Sequence, residues 1–161
     1  MTAPASNQPM FTGEHPRSLD SGLRVNLPKD WRSLQITEFF LISGSAEPYI
    51  MVMPRSEYED KVAEITGAPN LSRAERNTHL RNLGSQCKRV TIDSSGRIAV
   101  PTDICKALKL AADNADVMLV GAVRSFEIWN PNGYEKWTRK QSAPGKQGAA
   151  HSGLKEFLGV L

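Results

Sequence analysis

Two short segments carry the same charged residues at the same spacing. Asp20-Ser21-Gly22-Leu23-Arg24 and Asp93-Ser94-Ser95-Gly96-Arg97 each set an aspartate four positions ahead of an arginine. A carboxylate there can accept the N–H groups of the turn it opens or pair with the arginine that follows, and glycine takes a positive φ without steric cost. Asp20, Asp93 and Gly96 are therefore read as turn-structuring. The arginines have a second chemistry open to them. A guanidinium at the rim of a tight hairpin can donate to phosphate oxygens, or bidentately to O6 and N7 of guanine, and a two-stranded ribbon fits the major groove. Arg24 and Arg97 are candidate contacts to double-stranded DNA, with a structural or subunit-interface ion pair as the other reading. Arg89 is expected to share the outward face of the second ribbon with Arg97. Lys88 lies on the opposite face, where it can snorkel outward. Arg17 completes the candidates, although 73 positions on it matches Val90, an inward register.

Other chemistries find few residues. The sequence has no Walker loop, no G-x-S-x-G, no H-E-x-x-H and no clustered His/Asp/Glu set, so the expectation is a protein that is not an enzyme and acts on no small-molecule substrate. Cys87 and Cys105 are not spaced as CxxC and have no nearby histidines, while His15, His79 and His151 are scattered. No metal and no cofactor is expected. No run approaches the roughly 18–20 apolar residues of a membrane span, and Met1 to Met10 lack the basic and apolar regions of a secretory signal. The expectation is a cytoplasmic protein without membrane association.

The paired turns belong to a longer repeat. Leu19 to Asp30 aligns with Ile92 to Asp103 at an offset of 73, with Asp, Ser, Arg, Pro and Asp recurring and apolar residues matched between them. Further on, Met51 to Glu59 aligns with Glu127 to Glu135 at an offset of 76. Two copies are too few for a solenoid. They imply a duplicated unit with pseudo-two-fold symmetry.

The second copy predicts strands over 88–93 and 97–100 around Ser94-Ser95-Gly96, and a helix over 102–108 that buries Ile104 and Leu108. Strands over 116–123 and 126–129 follow, then a turn at 130–133 and a helix over 134–140. The first copy predicts strands flanking 20–24, a helical stretch over 29–34, strands over 39–43 and 49–53, and a helix capped by Ser56 and closed by Gly67. Between the copies, Ser72-x-x-Glu75 is a capping box that starts a helix ended by Gly84. The organisation expected is a disordered tail over 1–10, a first unit over 11–70, a connecting helix over 71–84, a second unit over 85–140, and a flexible tail over 141–161. In that tail Leu154, Phe157, Leu158 and Leu161 stand at amphipathic-helix spacing.

Forty per cent hydrophobic residues over 161 positions suffice for a packed core. The net charge of +3 is modest but unevenly spread. Ser33 to Ser72 holds two basic and six acidic residues, whereas Arg73 to Lys109 holds eight basic and three acidic ones. Such asymmetry suits a surface turned toward a polyanion.

The Asp-x-x-Gly-Arg turn followed by a Pro-terminated strand resembles the MraZ family of the AbrB-like swapped-hairpin superfamily. The resemblance continues through Phe11-x-Gly13, Glu47-Pro48 to Tyr58-Glu59, Ser72-x-x-Glu75-Arg76, and Val117 to Gly121 with Phe126 to Trp129. It implies an α+β fold of two tandem β-rich AbrB-like units with short helices, and a homo-oligomeric ring. It also implies a nucleoid-associated transcriptional regulator that binds short direct repeats upstream of the division and cell-wall gene cluster, with Arg24 at the family's DNA-contacting position. The family's first turn reads Lys-Gly-Arg where this chain has Gly22-Leu23-Arg24, so binding strength or sequence preference is expected to differ. The alternative is an oligomeric structural or protein-interaction scaffold that no longer binds DNA specifically. An antitoxin of the AbrB type is disfavoured, because such proteins usually carry one unit per chain.

Overall fold

The computed structural model describes residues 10–33, 35–43, 48–110 and 115–141. Most of the expected N-terminal tail, all of the C-terminal tail beyond Gln141, and Leu34 and Glu47 lie outside the described residues. The chain forms two compact units, the first ending at Asn130 and the second beginning at Pro131.

The eight strands among the described residues lie in the first unit. They are β1 (Glu14–Ser18), β2 (Arg24–Asn26), β3 (Glu38–Ser43), β4 (Tyr49–Pro54), β5 (Cys87–Thr91), β6 (Arg97–Ala99), β7 (Asp116–Gly121) and β8 (Phe126–Trp129). Six of them make an antiparallel sheet in the order β1-β7-β8-β4-β3-β5, and β2 pairs with β6 in a separate two-stranded ribbon. The strand order is its own mirror under exchange of the copies. β1 from the first copy pairs with β7 from the second, and β5 from the second pairs with β3 from the first. Two registers mark the pseudo-dyad: Val25 faces Ile98, and Met51 faces Glu127, so each residue is paired with its own repeat counterpart. The fold is α+β, two interlocked copies of one repeated unit.

Apolar residues at alternate positions of β3, β7 and β8 meet the inward face of the ribbon. Phe39, Leu41, Val117, Leu119, Phe126 and Ile128 pack with Val25 and Ile98, all nearly inaccessible to solvent. Phe11, Trp31, Phe39 and Phe126 form an aromatic cluster with ring centroids 4.9–6.2 Å apart. Phe11 is held by paired backbone hydrogen bonds to Val123, and its carbonyl crosses Gly121 so closely that a side chain there would have no room.

The proline-ended strands behave alike in both copies. Pro28 precedes a 3-10 turn over Lys29–Trp31, and Pro101 precedes α3 (Thr102–Ala107), with nearly identical extended dihedrals. Trp31 and Ile104, repeat counterparts, are both buried. The helix α1 (Arg55–Thr66) begins earlier than expected: Pro54 is the N-cap residue and Ser56 sits inside the first turn, because β4 runs straight through Pro54 into the helix. In α2 (Arg73–Ser85) the Ser72 hydroxyl accepts the Glu75 N–H, while Gly84 stays helical and Gln86 closes the helix. The described part of the second unit is α4 (Pro131–Gln141), which starts at the proline where a turn was expected. Proline suits the first helical position because its missing N–H would have no helical partner there.

Candidate nucleic-acid interface

Both hairpin turns are built by one set of contacts, repeated. Asp20 Oδ1 accepts the N–H groups of Gly22 and Arg24, and its Oδ2 accepts Arg24 Nε at 2.9 Å. Asp93 Oδ1 accepts those of Ser95 and Arg97, and its Oδ2 accepts Arg97 Nε at 2.9 Å. The backbone closes each turn in the same way, Asp20 N–H to Arg24 O and Asp93 N–H to Arg97 O. Each carboxyl is held below the usual carboxylate range, chiefly by the backbone N–H of its arginine, against the opposing pull of desolvation.

The ribbon sets these turns side by side. With Val25 and Ile98 turned into the core, strand alternation leaves Arg24, Asn26, Arg97 and Ala99 on the outward face. Arg97 also reaches across the copies, its Nη1 lying 3.5 Å from Asp20 Oδ2. Arg17 approaches the same ribbon from β1, donating through Nε to the Asn26 carbonyl at 3.1 Å and through Nη1 to that of Pro16. Arg17, Arg24 and Arg97 are therefore gathered at one ribbon, whose outward face is part open: the side chains of Arg24 and Arg97 are 41% and 28% exposed.

Arg89 and Lys88 are not part of that group. The expected hairpin of the second copy survives only as its closing turn and the Ile92–Ile98 bridge, since β5 pairs along its length with β3 instead. Arg89 is opposite Phe40 in that pairing, donates to Glu38 at 2.8 Å and lies over the Phe40 ring. Arg55 holds the other Glu38 oxygen and lies over the same ring, which stacks on Tyr58. Lys88 pairs with Asp103 of α3 at 3.3 Å. Of the five nominated cations, Arg17 alone has no carboxylate partner among the described residues.

Two further cations, which the hairpin pattern in the sequence does not single out, stand at the second turn. Arg32 donates through Nε and Nη2 to the Leu27 carbonyl, at 3.0 and 2.7 Å, and its guanidinium covers Gly96. Lys29 is exposed one helical turn before it. The available signal was Lys29-x-x-Arg32 directly after the strand-ending Pro28. Among the described residues no cluster of His, Cys, Asp or Glu could hold a metal ion, and no helix is long and apolar enough to cross a membrane.

A duplicated strand-turn-strand unit, exchanging strands around a pseudo-dyad and presenting paired Asp-Arg turns, defines the AbrB-like swapped-hairpin class. Residues 85–154 match the family described as "MraZ protein, putative antitoxin-like". The chain is 30% identical over 128 residues to a protein of Mycobacterium ulcerans named Transcriptional regulator MraZ, covering 80% of this chain and 86% of that one. It is also 30% identical over 151 residues to the protein of the same name from Verminephrobacter eiseniae, covering 92% and 99%. A third so named, from Clostridium tetani, is 25% identical over 134 residues, covering 83% and 89%. The chain belongs to the MraZ family.

Proposed function

We propose that this chain is a sequence-specific DNA-binding transcriptional regulator that acts by binding and not by catalysis. The observation that carries the reading is the outward ribbon with its twin Asp-Arg turns, in a family whose members bear the name of transcriptional regulators. Arg24 and Arg97 are the base- or phosphate-reading groups, and the aspartates fix their approach by holding Nε. Arg17 flanks them as a phosphate contact. Arg89 and Lys88 contribute at the margin, released from Glu38 and Asp103 when a phosphate competes. Family membership supports a ring of identical subunits in the cytoplasm, associated with the nucleoid. It also supports an operator of short direct repeats upstream of the division and cell-wall gene cluster. In such a ring, repeats that match the subunit spacing raise a weak single-subunit affinity by about a hundredfold or more.

The test is a mobility shift with duplex DNA from upstream of the chain's own coding sequence. Binding should fall steeply with salt and weaken when Arg24 or Arg97 becomes alanine. A ring-breaking variant should stay folded and lose the operator; equal affinity in ring and monomer removes the avidity argument. One observation favours the scaffold reading: four of the five nominated cations already hold carboxylates of the same chain. Oligomers that form normally while no upstream duplex binds at low salt would establish it.

A further inference from the structure

The two hairpin tips are not equivalent, and the difference lies at one pair of counterpart positions. In the second turn the left-handed position is Gly96, with φ +79°. In the first it is Leu23, with φ +59°, because the glycine of that copy stands one place earlier, at Gly22. Leu23 packs its side chain against the core cluster. Its counterpart Gly96 has none, and the space beside it is taken by the Arg32 guanidinium: a Cβ on Gly96 would collide with Arg32 Nε. The residue that corresponds to Arg32 in the other copy, 73 positions on, is Cys105, which is buried in the core. One tip thus ends in an apolar plug and the other in an exposed cation.

Beside the second tip lies a groove of about 510 Å³. Ile36 and Ile92 are among its apolar lining; Lys29, Arg32, Ser33 and Ser94 supply cations and hydroxyls. Asp93 also borders it, but its oxygens are engaged by Arg97 and the turn N–H groups. Neither Lys29 nor Arg32 has a carboxylate partner among the described residues, so their charge is not cancelled locally. Arg32 is also prepositioned, since its two bonds to the Leu27 carbonyl fix the guanidinium plane before any ligand arrives. Two uncompensated cations with hydroxyls over an apolar lining match a phosphodiester followed by the apolar face of its deoxyribose.

We propose that this groove binds a backbone phosphate of duplex DNA through Lys29 and Arg32, giving the second tip an anchor that the first lacks. The proposal rests on the DNA-binding reading above, and the experiment separates the two. Binding of the upstream duplex by the full chain is measured by fluorescence anisotropy across a salt series for wild type, Lys29→Gln, Arg32→Gln and the control Lys106→Gln. Lys106 is an exposed cation of the counterpart helix. If one phosphate contact is lost, the slope of log K against log salt falls by about 1 and affinity at ~0.1 M salt drops about eightfold. Lys29→Gln and Arg32→Gln should each show this, and Lys106→Gln should not. Lys29 is exposed and has no side-chain partner among the described residues, so its variant reports on binding even if Arg32→Gln loosens the turn. If wild type binds while both variants keep its slope, or the control loses as much as they do, the groove is not an anchor. If wild type shows no salt-dependent binding at all, the regulator reading fails, and this site fails with it.

Discussion

Val25 lies directly opposite Ile98 in the β2–β6 ribbon, and each is the other's counterpart in the sequence repeat. Both are fully buried, so the pseudo-dyad passes through the core and not through a linker. Truncating Ile98 to alanine should cost about 2–5 kcal/mol, the range for a buried aliphatic side chain whose site cannot collapse. Chemical denaturation should show one transition displaced as a whole, because the ribbon and the strand exchange tie the copies together. Two separated transitions would contradict the interlock.

The same relationship predicts the behaviour of the second copy expressed alone. Residues 86–130 lack β3, β2, β1 and β4, the first-copy strands that pair with β5, β6, β7 and β8. A second identical chain can replace them, since Ile98 would then face its own symmetry mate. The fragment should fold only as a homodimer, with a melting temperature that rises with concentration. A folded monomer in sedimentation equilibrium would show that the exchange is dispensable.

Much of this was legible in the chain itself. The repeat offset, the Asp-Arg turns, the prolines that end strands and the Ser72 capping box are local signals, and each is found in place. Partner choice was not legible. Alternation in Lys88 to Thr91 marks a strand, but nothing within it says that β3 and not β6 lies alongside, because pairing is decided by which distant face completes the core. Nor did the sequence reveal that Leu23 takes the left-handed conformation. Glycine is the residue that normally marks such a position, and here it stands one place too early. The outward face of the ribbon was legible as two arginines, but the Arg32 that covers Gly96 comes from a separate element, and only the folded chain brings them together.

Gly96 should resist substitution more than its neighbours. Alanine there meets both a positive φ and the Arg32 guanidinium, and the backbone conformation alone costs about 1–2 kcal/mol. Because the clashing atoms end a flexible side chain, Gly96→Ala in an Arg32→Ala background should recover the steric part and keep the backbone part. A thermodynamic double-mutant cycle measures the difference. Equal costs in both backgrounds would mean that Arg32 swings aside freely.

Acid should destabilise the protein through the turn aspartates. Asp20 and Asp93 have folded-state pKa values lowered from about 3.8, so the folded state favours the ionised forms. Their contribution is present at neutral pH and is lost as pH falls through and below that value, where the unfolded chain takes up protons first. The melting temperature of wild type should therefore fall more steeply below about pH 4 than that of Asp20→Asn/Asp93→Asn, which keeps the amide acceptors but has no carboxylate to protonate. Parallel acid profiles would place the sensitivity elsewhere.

Glu38 offers a test in the opposite direction. It holds Arg55 and Arg89 together over the Phe40 ring, and those two bonds lower its pKa, with Arg89 the larger contributor. Glu38→Gln removes the charge that binds them and leaves two guanidinium groups facing each other, so the thermal midpoint should drop, most of all at low salt where repulsion is unscreened. If Arg89 serves as a marginal phosphate contact, the same variant frees it, and affinity for duplex DNA should rise while the salt slope steepens. A variant that is less stable yet binds with unchanged slope would assign Arg89 to the sheet alone.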